Sequence, residues 1–273
     1  MLTIVCFFAV TGSYSQYYFN DIVSTQLSND QYKLLRANKI KKIKATGFEA
    51  DNTPTDGFLL EEDISLDGKR IILSTTTSTG SSSVINHFYE LNRLKRTQTG
   101  SKNIDNKTDY TYTDKGQLQK IVLTTTDTAM KSTLTEVHEW NYNEAGQPVS
   151  MLKIKNKTDT MFIELVKDEQ GSVVEEHWKK KNRTVETYYY YYDANKQLTD
   201  IVRYNAKLKK LLPDFQYEYD ASGRVSQMTQ VSMTSANYFI WKYTYNDKGL
   251  KQKETGFDKE RKMVGSIQYS YEL

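Results

Sequence analysis

The sequence predicts an all-β protein built from antiparallel β-hairpin repeats of about 26 residues. The expected sheet is meandering, rolled or spiralled, with a small helical N-terminal cap. Three observations carry that prediction. Phe215–Arg224 alternates aromatic and polar residues and then breaks into Asp-x-x-Gly, which reads as a strand entering a tight turn. The same design recurs at Tyr110–Gly116, Trp140–Gly146 and Trp241–Gly249. Twenty-one tyrosines carry much of the apolar content, while only three prolines interrupt a 273-residue chain, as long strands joined by tight turns require.

The elements follow in order. Residues 1–15 are read as a signal peptide: Leu2–Val10 is apolar, too short to span a bilayer, and Ser13-Tyr14-Ser15 offers small residues before Gln16. Cleavage near Ser15-Gln16 removes Cys6, the one cysteine, and leaves an exported chain without disulfides. Val5 before Cys6 disfavours lipidation. Residues 16–56 lie outside the repeat and are read as a cap segment. In it Ser28 caps a short helix over Gln31–Arg36, and Lys39–Ala45 forms a lead-in strand whose lysines make a solvated edge.

The repeat domain spans residues 57–273. Its units register on the last strand residue before the first turn: Ile64, Phe88, Tyr112, Tyr142, Lys167, Tyr192, Tyr219, Tyr245 and Tyr271. Gly68, Gly116, Gly146, Gly171, Gly223 and Gly249 close that turn, with Asn92 and Lys196 in the Gly position elsewhere. A second turn is marked by Asp127, Asn156, Asn182, Asn205 and Asp258. Nine anchors imply roughly seventeen strands.

The motif Tyr-x-Tyr-Asp-x-x-Gly-Arg-Val at Tyr217–Val225, with near matches at Tyr190–Leu198 and Tyr243–Gly249, resembles the YD repeats of the Rhs and teneurin families. The resemblance covers about residues 60–273 and implies a spiralled β-shell. The resemblance is expected to stop at the fold, since a chain read as far shorter than those shells, with no toxin module after Leu273, has too few strands to enclose a cargo. Its exported, cysteine-free layout also looks like small YD-like proteins of the Bacteroidota cell envelope.

Composition and motifs narrow the function. Thirty-seven basic against 34 acidic side chains give no electrostatic case for nucleic acid. His87, His138 and His177 sit at different offsets, none with metal-ligand spacing, and each is read as a strand residue with an ordinary hydrogen bond. No metal or cofactor is expected, and no nucleophile elbow or phosphate loop is present. Glu175, Glu176 and Asp220 are the carboxylates a carbohydrate-active enzyme would use, and that reading is the alternative. An outer-membrane barrel ranks last, because the face carrying Thr111, Glu218, Lys242 and Thr244 is too polar for lipid.

The candidate binding residues form an aromatic row: Tyr110, Tyr112, Trp140, Tyr142, Tyr190, Tyr192, Tyr217, Tyr219, Trp241, Tyr243 and Tyr245, continued by Tyr269 and Tyr271. Equivalent strands one hairpin apart are roughly 9.6 Å apart, near two units of an extended glycan. A polysaccharide platform is one expectation; a packed aromatic core is the heavier one. The expected protein is a non-catalytic cell-envelope scaffold or binding surface, its partner a polysaccharide or an envelope protein.

Overall fold

The structure, a computed structural model, describes residues 16–205, 209–232 and 237–273. The signal-peptide reading and Cys6 fall outside these residues. The chain forms two compact units: residues up to 102 together with 239–273, and residues 103–238.

A π-helical turn, Tyr18–Val23, runs directly into helix α1, Ser24–Ala37. The helix therefore starts before the expected cap, and Ser28 lies a full turn inside it. The first unit then lays down β1 (Lys42–Glu49), β2 (Leu59–Ile64), β3 (Arg70–Thr76), β4 (Ser82–Glu90) and β5 (Arg93–Gly100). The second unit is a meander of β6 (Ile104–Tyr112), β7 (Leu118–Asp127), β8 (Ser132–Tyr142), β9 (Pro148–Lys155), β10 (Asp159–Lys167), β11 (Val173–Lys180), β12 (Arg183–Tyr192), β13 (Leu198–Asn205), β14 (Lys210–Tyr219) and β15 (Val225–Val231). Strands β16 (Tyr238–Tyr245), β17 (Lys251–Phe257) and β18 (Met263–Glu272) return to the first unit.

All of these strands belong to one 18-stranded antiparallel sheet. Within the first unit β1 pairs with β18 over Lys42–Glu272 to Glu49–Gly265, and on its other side with β2. The rolled or spiralled meander with free ends is thereby corrected. The strand order is closed, because the first strand fills the place between the last and the second. The lysine run explains why it fits. Ile43 and Ala45 are buried on one face, while Lys42 reaches Glu61 and Asp63 of β2 at 3.1 and 3.2 Å and Lys44 reaches Glu272 of β18 at 2.7 Å. The expected solvated edge is a central strand whose cations complement acids on both neighbours.

Repeat chemistry sets the turns and the core. Asp220 accepts hydrogen bonds from the backbone N–H groups of Ser222 and Arg224, and Gly223 takes φ +78°, a region that costs a side chain strain. Asp168, Asp193 and Asn246 repeat this turn. A β-bulge falls at the anchor residue in unit after unit, at Tyr112, Tyr142, Tyr192, Tyr219 and Tyr245. In the second hairpin it falls at Tyr89, so the anchor there is Tyr89 and the Phe88 assignment is corrected by one residue. In the first unit Ala45, Leu60, Leu73 and Ile267 form a buried cluster backed by Phe58, Ile85 and Tyr269. In the second unit Ile121, Trp140, Met151, Ile163, Tyr188, Tyr190 and Ile201 are buried on the row face.

Candidate functional site

Period-2 alternation puts the two aromatics of each unit on one strand face, and the fold buries that face. Trp140 and Tyr190 are 4% and 2% exposed, and Tyr110, Tyr112, Tyr142, Tyr192, Tyr217, Tyr219, Trp241, Tyr243 and Tyr245 are all half-buried. The anchor hydroxyls are committed to backbone. Tyr142 donates to the Leu118 carbonyl at 2.6 Å, Tyr192 to Val173 at 2.8 Å, Tyr219 to Leu198 at 2.7 Å and Tyr271 to Lys251 at 2.6 Å. Each acceptor is at or beside the start of the strand that precedes the donor strand. Burial pushes the Tyr219 phenol up to about 12 and raises those of Tyr217 and Tyr271 further.

The carboxylates weighed for catalysis are dispersed. Asp220 is a turn cap that also holds Arg224 at 2.7 Å. Glu175 holds His177 Nε2 at 2.5 Å. Glu176, next in sequence and so on the opposite strand face, is fully buried and accepts from Trp178 Nε1 at 2.6 Å and Tyr190 at 2.7 Å. His138 meets Glu136 at 3.0 Å, as an ordinary strand histidine should. Burial would raise the Glu136 carboxyl, but hydrogen bonds from His138 and Lys153 hold it down to about 2. Tyr188 is fully buried with its hydroxyl unpartnered, close to Glu186, Arg203 and Asp214.

The site that sequence reasoning missed lies where the row changes chemistry. Two residues before the anchors stand Tyr110, Trp140, Leu165, Tyr190, Tyr217, Tyr243 and Tyr269. The same position holds Glu62 before Ile64 and His87 before Tyr89. The strand between them places Leu73 opposite Glu62 and Ile71 opposite His87. Helix α1 covers this stretch. Tyr32 stacks on Tyr89 at 3.9 Å and 5° and donates to the Gly68 carbonyl at 2.8 Å, and Asn29 Oδ1 accepts from the Leu94 N–H at 2.7 Å.

Between helix and sheet is a cavity of about 30 Å³. Ser28, Gln31, Tyr32 and Leu35 line it from α1, and Glu62, Ile71, Leu73, His87 and Tyr89 from the sheet. His87 Nδ1 is buried with no hydrogen-bond partner, which corrects the expectation of an ordinary one. Burial pushes the His87 imidazole down to about 4. It pushes the Glu62 carboxyl up to about 7, against the pull of the Lys251 ammonium. Lys251 bridges to Glu254, which accepts from the Tyr269 hydroxyl at 2.8 Å, and its Nζ stands over the Tyr243 ring at 4.9 Å. An imidazole whose charged form burial disfavours and a carboxyl whose proton burial retains thus share one small cavity. Among the described residues no group of three or more His, Cys, Asp or Glu is placed to hold a metal ion. A shifted anchor hid His87, whereas Glu62 was legible as a charged residue at an aromatic position.

No protein-family model matches the chain, and a search of curated proteins finds no match. Among solved structures, a TcdB2-TccC3-Cdc42 structure is similar at 13% identity and TM-score 0.37. That likeness covers 76% of this chain, which spans only 12% of the other. A porin-like protein from Bacteroides uniformis is similar at 10% identity and TM-score 0.42, over 85% of this chain and 96% of that one. A porin-like protein from Bacteroides vulgatus shows 11% identity and TM-score 0.32, over 85% and 98% of the two chains. At such low scores none of these bears on what this chain does. No helix among the described residues is long and apolar enough to cross a membrane.

Proposed function

We propose that this chain is a non-catalytic, exported cell-envelope protein that works as a rigid β-scaffold. One observation carries the reading: the aromatic row, its most distinctive chemistry, is half-buried to fully buried, and the hydroxyls of the anchors Tyr142, Tyr192, Tyr219 and Tyr271 are bonded to neighbouring backbone. On this reading the row serves mainly to hold the sheet together. The YD-repeat resemblance and the signal-like first fifteen residues support an exported repeat protein. A polysaccharide partner would meet the polar side chains instead. In the second unit Thr199, Asp200, Gln216, Glu218, Gln227 and Thr229, together with Tyr217 of the row, line a groove of about 150 Å³ whose amides and carboxylates suit sugar hydroxyls.

The test is a panel of envelope polysaccharides assayed for retention and for hydrolysis. The expected result is no turnover, and retention that survives Tyr219→Phe but weakens with Gln216→Ala. Hydrolysis abolished by a single Asp or Glu substitution would overturn the reading in favour of the carbohydrate-active enzyme.

A further inference from the structure

We infer that one edge of the second unit is a docking surface whose occupant is an anionic lipid bilayer. The inference goes beyond the scaffold role and starts from how the meander sorts charge. In an antiparallel meander, alternate turns fall at opposite ends of the strands. The turns after β6, β8, β10, β12 and β14 share one end, and those after β7, β9, β11 and β13 share the other.

The two ends differ in sign. At the second end the turn after β7 exposes Lys131, and that after β9 exposes Lys157 with Lys155 beside it. The turn after β11 adds Lys180, Lys181 and Arg183, and that after β13 adds Lys209 and Lys210, all exposed. Among the described residues Asp105, Asp127 and Asp159 are the acids at this end, and Asp159 is already held by Lys180 at 2.8 Å. At the first end Asp114, Glu144, Asp168, Glu169, Asp193 and Asp220 outnumber Lys115, Lys167, Lys196 and Arg224. The near-neutral composition of the chain conceals a polarised unit.

Backbone geometry marks the same positions. Lys131, Lys157, Lys181 and Lys209 take φ +49°, +65°, +48° and +51°, a region where Gly or Asn costs least. The opposite end fills its positive-φ positions with Gly116, Gly146, Gly171 and Gly223, and with Lys196 in a single turn. The basic end thus keeps a cation in each of four turns at a cost in backbone strain.

A soluble polyanion would need charge alone, but this end also exposes apolar groups. Met130, Leu134, Val185 and Leu211 are 46–79% exposed, and Tyr204, 53% exposed, stands opposite Leu211 across β13 and β14. Such side chains enter the boundary between headgroups and acyl chains while Lys and Arg meet the lipid phosphates. Neighbouring turns stand about 10 Å apart, close to the Debye length at about 0.1 M salt, so their charges act as one field.

The experiment is cosedimentation of the full chain with vesicles of phosphatidylcholine, alone or mixed equally with phosphatidylglycerol, at low and high salt. Adding phosphatidylglycerol should strengthen binding more than a hundredfold, and the gain should fade as salt rises. Lys131→Gly, Lys157→Gly, Lys181→Gly and Lys209→Gly combined relieve the strained turns, so that variant should fold as well as the parent. It should still bind anionic vesicles more than a hundredfold more weakly, at about fivefold per cation. Met130→Ser with Leu211→Ser should weaken binding about tenfold, and this loss should persist at high salt. The apolar run Leu2–Val10 is common to every arm, and neutral vesicles report its share. If the Gly variant fails to fold, Lys155→Gln, Lys180→Gln and Lys210→Gln combined, at exposed strand ends, should weaken binding about a hundredfold. No gain from phosphatidylglycerol, or a folded variant of either set that binds like the parent, overturns the inference. Tighter binding to duplex DNA or to a soluble acidic polysaccharide than to anionic vesicles overturns it as well. Polysaccharide turnover plays no part in these readouts, so the inference can fail while the scaffold reading stands.

Discussion

The hydroxyl of Tyr219 donates to the backbone carbonyl of Leu198 at 2.7 Å, one of four such bonds that tie an anchor tyrosine to the preceding strand pair. The bond explains why these anchors are Tyr rather than Phe. The ring length carries the oxygen to a carbonyl near the start of the preceding strand, beside the turn.

Removing that oxygen should cost stability. Tyr219→Phe leaves the Leu198 carbonyl short of a partner and is expected to destabilise by about 1 kcal/mol, read as a lower urea midpoint at unchanged slope. Tyr188→Phe should do the reverse. Its hydroxyl is fully buried and unpartnered, so deleting it should leave stability unchanged or raise it by up to about 1 kcal/mol. Equal losses from both substitutions would contradict this account of the row.

Helix α1 should open without the strands. Tyr32→Leu removes the stack on Tyr89 and the bond to the Gly68 carbonyl, together about 2 kcal/mol, or roughly 30-fold faster exchange of the α1 amides. Amides of β7 and β8 should keep their protection. A matching loss there would show that the helix and the strands unfold together.

Acid should weaken the second unit through Glu136. Its folded carboxyl lies at about 2 against an ordinary 4.5, so its contribution is complete above 4.5 and is lost as pH falls toward 2. Unfolding by urea at pH 7, 4 and 2.5 should show Glu136→Gln with lower stability than the parent at pH 7, by about 2–3 kcal/mol, and a gap that narrows as pH falls. A gap independent of pH would mean that the carboxylate charge is not what holds His138 and Lys153.

Chemical accessibility separates the row from the opposite face. Under mild nitration Tyr191 and Tyr204, 47% and 53% exposed, should react at close to the rate of unfolded chain. Tyr188 and Tyr190, at 0% and 2%, should stay protected until unfolding. Rapid nitration of Tyr190 in the folded protein would return the row to the surface.

Much of the molecule was legible because its rules are local. Aromatic–polar alternation identified the row strands, and Asp-x-x-Gly identified their turns, since a side-chain acceptor and a positive φ are needed within four residues. The errors were local too, but of another kind. A bulge shifts register without changing composition, so Phe88 and Tyr89 were indistinguishable as anchors and His87 dropped out of the row. Ser28 looked like a cap because its sequence context suits one. The residues before it are helical only because the segment packs on β4 and β5 through Tyr32 and Asn29.

The sequence by itself determined the hairpin unit, its turn chemistry, the aromatic row and the charge pattern of β1, all properties of residues a few positions apart. Only the tertiary structure decided that β1 pairs with β18, more than two hundred residues away, and so that the strand order closes. It also decided that the row is half-buried to buried, and that Glu62 and His87 fall beside one helix. Those outcomes depend on which faces exclude water together and which distant backbones satisfy one another's hydrogen bonds, and no short stretch of sequence carries that information.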